Sequence, residues 1–167
     1  MKEFIIPFFG LKIGKHEFKF KIDHEFFEAF DSALIENVKA NVDLVLEKTA
    51  TMLILDFSAK GSSVVPCDRC GDDFELSFKA GEKLFIKFGD EAYDQTDDVM
   101  VVSHDTHEID VSHRIYEMLI LNFPKKRVHP KLKDCNSKAI EKLNEINSQE
   151  EDGDKTDPRW EALKKLK

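Results

Sequence analysis

Apolar and polar positions alternate in several short stretches of the first hundred residues. Residues 17–22 (EFKFKI) alternate strictly, as a β-strand with one buried face does. Similar runs occupy residues 42–48, 52–59, 74–79 and 83–88, each bounded by Gly, Ser, Asn or charged turn residues. Because parallel strands need long crossovers, this close spacing predicts antiparallel strands that follow one another along the chain.

Two segments predict helices that pack against these strands. Asp23 is placed to cap a helix, and residues 26–34 then carry three phenylalanines, an alanine and a leucine on one helical face. Asp110 caps a second helix over residues 111–122, whose apolar residues cover more than one stripe. Residues 100–103 (MVVS) add one more strand. We therefore predict an α+β fold with an antiparallel β-rich core packed by two helices.

The C-terminal segment is predicted to be helical in two pieces. A helix begins at Asn136 or Ser137, and its apolar residues recur at core-facing spacing. Residues 148–156 (SQEEDGDKT) contain no apolar side chain and predict a flexible acidic linker. Residues 157–167 open with Asp-Pro, a helix-start pair, and predict a terminal amphipathic helix. We expect one α+β domain over residues 1–147, followed by this linker and this helix.

The composition restricts the classes of protein that fit. A length of 167 residues suffices for one domain and a tail, and 41% hydrophobic with 35% charged residues is typical of a soluble globular protein. We find neither a signal-peptide core nor an apolar run of about 18 residues, so we expect a cytoplasmic protein without a membrane span. The formal net charge of -8 argues against a general nucleic-acid coat, because the whole molecule repels phosphate.

The charge is nevertheless arranged in blocks. Residues 90–110 hold eight acidic residues and no Lys or Arg, and residues 145–157 hold six acidic residues and one lysine. Residues 125–133 (KKRVHPKLK) hold five basic residues and no acidic one, while residues 158–167 hold four basic residues and one glutamate. The net charge therefore leaves room for a selective contact with phosphate through two local basic patches.

Three cysteines and one histidine form a candidate metal site. Cys67 and Cys70 are separated by two residues, and Gly71 permits the backbone turn that a Cys-x-x-Cys knuckle needs. Cys135 follows His129 by six residues, so the chain can supply a Cys3His set, one of the usual combinations that hold structural zinc. The alternatives are a plain turn beside an unrelated loop histidine, or a redox-active cysteine pair. The strand-like FELSF after the pair argues against the redox alternative, since thioredoxin-type pairs open a helix.

The two basic patches are candidate contacts for RNA or a protein partner. The cations of residues 125–133 can neutralise phosphates without reading sequence, or can form a solubilising loop that pairs with the acidic blocks. The terminal helix carries the only tryptophan and needs a surface on which to fold, either the body of the protein or a partner. The candidate contact residues are Lys125, Lys126, Arg127, Lys131, Lys133, Arg159, Trp160, Leu163 and Lys164.

No catalytic constellation stands out. His104 and His107 flank an aspartate, but no third metal ligand accompanies them. The chain has no glycine-rich phosphate loop, no GxSxG elbow and no HExxH motif. We therefore expect a protein that is not an enzyme.

Three features in this order resemble one protein family. The strand-rich half contains VPCDRCGDDFEL, the helix IDVSHRIYEMLILNFP is followed directly by KKRVHP and a later cysteine, and the chain ends DPRWEALKKLK. Over roughly residues 15–167, this arrangement resembles the YceD family of large ribosomal RNA subunit accumulation proteins. The resemblance implies a small bacterial or plastid protein needed for normal levels of large-subunit (23S) ribosomal RNA, with no established catalytic activity.

The resemblance also implies site residues and partners. Cys67 and Cys70 match the family's first cysteine pair, and His129 and Cys135 fall where many members have further cysteines. A structural zinc ion is thereby implied, although fewer cysteines than in the fullest family pattern leave its loss open. The implied function is support of rRNA accumulation or ribosome assembly, by binding large-subunit rRNA or a ribosomal or assembly protein. The competing hypotheses are an adaptor that binds protein through the terminal helix, and a zinc-stabilised structural protein without RNA contact; neither DNA nor a membrane is an expected partner.

Overall fold

The chain divides into two compact units, each built from two stretches of sequence. The computed structural model describes residues 1–30, 37–89 and 98–150. The first unit comprises Met1–Val65 and Phe74–Arg127, and the second comprises Pro66–Asp73 and Val128–Lys167. The predicted linker, apart from its first residues, and the predicted terminal helix lie outside the described residues.

Most of the described strands form one sheet. The strands are β1 (Ile5–Ile6), β2 (Gly14–Ile22), β3 (Val38–Lys48), β4 (Met52–Pro66), β5 (Asp73–Phe88), β6 (Val99–Val102) and β7 (Ile109–Asp110). β2 to β6 are neighbours in that order, and β1 pairs antiparallel with β7. The β2–β3 and β3–β4 pairs are antiparallel, as the close spacing predicted.

Three α-helices accompany the strands in the described part of the chain. They are α1 (His24–Glu28), α2 (Ser112–Leu121) and α3 (Ser137–Glu150). The predicted cap of α1 is present, because the Asp23 side chain accepts a hydrogen bond from the Phe26 amide. At α2 the N-cap is Val111, and the Asp110 side chain accepts a hydrogen bond from the Ser112 amide from one position before that cap. The α+β class is therefore confirmed. None of the helices in the described ranges is long and apolar enough to cross a membrane.

Helix α1 is shorter than the predicted helix over residues 26–34. It ends at Glu28 with Ala29 as its C-cap, and residues 31–36 lie outside the described residues. Phe30 nevertheless packs as the pattern indicated, because its ring stacks on Tyr116 of α2 with 4.5 Å between the centroids. The spacing thus identified the buried face of this segment.

One apolar cluster forms the core of the first unit. β3 places alternate side chains in it, and α1 and α2 contribute their own buried faces. Burial of this kind is the main favourable contribution to folding, about 25 cal/mol per Å² of apolar surface. Fully buried members from these elements are Phe27, Leu44, Leu46, Ile115, Met118 and Leu119.

Strand β6 departs from the antiparallel pattern, because it pairs in parallel with β5. The register sets Phe85 opposite Val99 and Phe88 opposite Val102. The chain therefore has to return along β5 by only three residue steps, about 10 Å. The intervening residues 89–98 can span about 33 Å when extended, so no long crossover is needed. The spacing argument for antiparallel pairing did not cover this strand, and its parallel pairing makes the sheet a mixed one.

Strands β4 and β5 are also longer than predicted. β4 continues beyond residue 59, where small residues replace apolar ones and Gly61 stands opposite Ala40. β5 runs without a break through Gly81 and Glu82, where the sequence had indicated a turn between two strands. The Glu82 carboxylate lies 3.6 Å from the Arg114 guanidinium, and each side chain is only about one-fifth exposed. The sequence pattern thus indicated a turn at Glu82, which in the structure is a strand residue paired with Arg114.

Candidate metal centre

Four side chains of the second unit meet at one point. They are Cys67, Cys70, His129 and Cys135, and their ligand atoms all lie within 4.8 Å of one another. Cys70 and His129 are 59 positions apart in the sequence, so the fold assembles the cluster from two distant segments. The structure therefore brings together the four residues that the sequence selected as metal ligands.

The first two cysteines lie in the turn that links β4 to β5. The Cys67 carbonyl accepts a hydrogen bond from the Gly71 amide at 2.9 Å, and the Cys67 amide donates to the Asp72 carbonyl at 2.9 Å. Gly71 has a φ of +80°, a conformation that glycine adopts without the steric cost of a Cβ atom. These bonds close the tight knuckle that the Cys-x-x-Cys spacing predicted.

The other two ligands come from the loop that precedes α3. Residues Leu132–Asp134 form one turn of 3-10 helix, which ends as the Cys135 amide donates to the Leu132 carbonyl at 3.1 Å. This turn sets the chain direction between His129 and Cys135. The Cys135 side chain is buried although its neighbours on both sides are exposed, so the loop presents its sulfur inward.

Two distances in the cluster match edges of a tetrahedral zinc shell. The His129 Nδ1 atom lies 3.6 Å from the Cys70 Sγ atom and 3.6 Å from the Cys135 Sγ atom. With Zn–S bonds of about 2.3 Å and Zn–N bonds of about 2.0–2.1 Å, a tetrahedron has an N-to-S edge of about 3.6 Å. The donor set and its spacing therefore fit a zinc ion. Four protein ligands would fill such a shell, which is typical of structural rather than catalytic sites.

Arg69, inside the cysteine knuckle, takes part in this arrangement although the sequence analysis gave it no role. Its Nη2 atom donates to the His129 carbonyl at 3.2 Å, and its Nη1 atom lies 4.0 Å from the Cys135 Sγ atom. Its guanidinium therefore ties the knuckle to the second ligand loop and brings a positive charge to the sulfurs. The only sequence signal was an arginine between the two cysteines.

The thiols of the cluster differ in acidity. Burial raises the pKa of Cys67, but hydrogen bonds from Arg69, His129 and Cys70 outweigh it and lower the value to about 6. At Cys135, burial together with the nearby sulfurs raises the pKa to about 11. At neutral pH the metal-free site therefore holds a thiolate at Cys67 and a protonated thiol at Cys135.

Zinc uptake should accordingly release protons. At pH 7.5 the ion has to displace the proton of Cys135, and below about pH 6 it also has to displace one from Cys67. Because the metal-free state binds more protons, zinc affinity should fall as the pH falls, and more steeply below pH 6. Titration calorimetry at pH 7.5 in two buffers of different ionisation enthalpy measures the release. Identical heats in both buffers would contradict this prediction.

The candidate basic contacts are divided between the two units. Lys125 and Lys126 are exposed residues of the first unit, which ends at Arg127, whereas Lys131 and Lys133 are exposed residues of the second. None of these four lysines forms an ion pair within the described part of the chain. The remaining candidate contacts, which lie outside the described residues, are Arg159, Trp160, Leu163 and Lys164.

Comparison with known proteins gives one match. The profile of a protein family described as "Large ribosomal RNA subunit accumulation protein YceD" matches residues 55–167. The matched range covers more than half of the chain and includes the cysteine knuckle, the second ligand loop and the basic residues. No curated protein and no solved structure matches the chain.

Proposed function

This chain belongs to the YceD family of large ribosomal RNA subunit accumulation proteins, and we propose that it acts without catalysis, by contacting large-subunit rRNA in the cytoplasm. The family description names the accumulation of an RNA and no reaction. Accumulation can be raised by a protein that binds the RNA or an assembly intermediate and keeps it from degradation. The proposed contact is with the RNA backbone.

Two exposed lysines of the basic segment, residues 125–133, carry this proposal. Lys125 and Lys126 project from an acidic protein with no carboxylate within ion-pair distance among the described residues. Such lysines attract phosphate and release its counterions, and the contact carries no sequence information. Selection of the correct particle would then come from shape and from the acidic remainder of the protein, which repels other RNA.

A structural zinc ion at Cys67, Cys70, His129 and Cys135 is the second part of the proposal. The ion would hold the cysteine knuckle against the loop that contains Lys131 and Lys133, because Cys135 lies in the same loop. Two of the candidate cations would therefore keep a fixed position only while the metal is bound. The metal would contribute to function by holding the knuckle and this loop in place, and it would take part in no reaction.

Reversing three charges of the basic segment tests this function. Replacing Lys125, Lys126 and Arg127 by glutamate should reduce association with pre-ribosomal particles at least tenfold, because phosphate attraction becomes repulsion. Association is measured by sedimentation of cell extracts, and the level of large-subunit rRNA is measured in the same cells. A matched variant reverses Lys2, Lys12 and Lys138, which are exposed and lie outside the segment. If both variants stay on the particles to the same extent, the basic segment is not the contact.

A further inference from the structure

A groove in the first unit is lined by two lysines, a serine and mostly apolar surface, with no carboxylate. It encloses about 600 Å³ and opens to solvent. Lys60 comes from β4, Lys79 from β5 and Pro124 from the residues that follow α2. The lining residues are Lys60, Gly61, Ser77, Phe78, Lys79 and Pro124.

Two other clefts of the same unit contain carboxylates beside a lysine, Lys39 in one and Lys21 in the other. One of about 370 Å³ includes Asp23 and Glu75 in its lining, and one of about 400 Å³ includes Glu3, Asp23 and Glu25. Carboxylates in those clefts repel an anion, whereas the groove with Lys60 and Lys79 attracts one. The acid-free lining therefore distinguishes this groove from comparable hollows on a protein with a net charge of -8.

The lysines of the groove also differ from three other lysines of the sheet. On neighbouring strands, Lys15 lies 4.0 Å from Glu47, Lys19 lies 3.9 Å from Asp43, and Lys83 lies 3.5 Å from Asp56. Lys60 instead stands opposite Asn41 in the β3–β4 register.

Nothing in the described part of the chain compensates the two lysines of the groove. Neither Lys60 nor Lys79 forms an ion pair with any residue that the structure describes. Two like charges that stand directly opposite on adjacent strands repel each other and destabilise a sheet. An external anion would remove that cost.

The groove continues towards the basic segment. Pro124 lines the groove, and the next two residues are the exposed Lys125 and Lys126. The floor is firm, because Phe78 is buried and its ring packs on Phe123 with 5.2 Å between the centroids. A flexible anionic chain that leaves the groove past Pro124 would therefore next meet the ammonium groups of Lys125 and Lys126.

We propose that this groove binds the phosphodiester backbone of single-stranded RNA, with Lys60 and Lys79 each neutralising one phosphate and Ser77 donating a hydrogen bond. The proposal rests on the proposed function and adds a binding site within the sheet to it. Ammonium and hydroxyl groups match phosphate oxygens, and the half-buried Pro124 can lie against a ribose or base. Because lysine reads no base edge, the groove should bind RNA of any sequence.

A salt titration with paired variants tests the groove. The double variant Lys60→Gln, Lys79→Gln removes its two charges, and Lys15→Gln, Lys19→Gln removes two charges from exposed β2 lysines. The probe is a fluorescent single-stranded oligoribonucleotide of mixed sequence, titrated with full-length protein at several salt concentrations.

Each phosphate contact to a single strand contributes about 0.7 to the slope of log K against log salt, so the slope of the groove variant should be smaller by about 1.4. At 0.1 M salt this equals roughly 25-fold weaker binding. The β2 variant should keep the slope of the natural protein, and equal losses in both variants would overturn the proposal.

A second pair of variants separates the groove from net charge. Ser77→Asp places a carboxylate in the groove, and Ser58→Asp adds the same charge at an exposed serine of β4. Thermal melting shows that both variants are folded before RNA is added. Ser77→Asp should weaken binding at least fivefold more than Ser58→Asp, and equal binding by the two would also overturn the proposal.

The outcome for the groove is distinguishable from the outcome for the proposed function. If the natural protein binds no oligoribonucleotide, the groove proposal fails, while a role in rRNA accumulation through a protein partner stands. If the Lys60, Lys79 variant loses RNA binding and cells that carry it keep normal large-subunit rRNA, the groove stands and the proposed function fails.

Discussion

Replacing Cys135 by serine should abolish stoichiometric zinc binding and loosen the second unit. The protein purified from cells supplied with zinc should contain about one ion per chain, because a Cys3His donor set lies within 4.8 Å, close enough to surround one ion. A serine hydroxyl stays protonated at neutral pH and supplies neither the charge nor the softness of a thiolate. Zinc content is measured by elemental analysis, and order by amide hydrogen exchange. Exchange should accelerate in the Cys67–Cys70 turn and in α3.

Histidine variants provide the matched control for the metal. His129→Ala should lose zinc as Cys135→Ser does, since the His129 Nδ1 atom lies 3.6 Å from two of the sulfurs. His24→Ala should keep it, because His24 is exposed and pairs with Glu28 on its own helix. Natural protein that contains no zinc and whose melting temperature does not respond to a chelator would contradict the prediction. Loss of zinc in both histidine variants would show that the effect is general unfolding.

A single methyl group at Gly61 should destabilise the first unit strongly. A Cβ atom there would lie 2.6 Å from both the Ala40 Cβ atom and the Lys39 carbonyl oxygen, and backbone cannot move aside as a side-chain tip can. Overpacking of this kind costs about 1–3 kcal/mol, and more where a strand pair has to separate. Gly61→Ala should therefore lower the free energy of unfolding by about 3 kcal/mol, measured by urea titration.

Gly10→Ala controls for the chemical change itself. A Cβ atom on Gly10 would meet nothing within 4 Å, and the residue is exposed. Its substitution should change stability by less than about 1 kcal/mol, through the unfolded chain alone. Equal effects at the two positions would show that β3 and β4 can separate locally without cost.

Alternating apolar and polar side chains predicted the strands that have this pattern. It did not predict strand segments or strand pairings that depend on the position of a neighbouring strand. β2 and β3 alternate apolar with charged residues, and both were identified. The second half of β4 was missed because it contains Gly and Ser, whose place in a strand is set by the partner strand. The parallel pairing of β6 depends on where the chain returns along β5, and no local pattern encodes that register.

The ligand set was predictable because its chemistry is scarce in this chain. With three cysteines in the sequence, a zinc site that uses the knuckle needs Cys135 and a histidine, and His129 was the nearest. Arg69 was not predictable, because its role depends on the His129 carbonyl, 60 positions away. The groove was missed for a similar reason: Lys60 and Lys79 look like ordinary strand lysines until β4 and β5 are neighbours.

The distance between the two halves of the metal site along the chain has an entropic consequence. Cys70 and His129 are 59 positions apart, and all of β5, β6, β7 and α2 lies between them. An ion held at both ends would act as a cross-link and shrink the unfolded ensemble of that intervening chain. For a loop of this length, the chain-entropy relation for covalent cross-links gives about 4 kcal/mol. Zinc would thus stabilise strands and a helix that it does not contact, because it reduces the number of conformations open to that part of the chain when it unfolds.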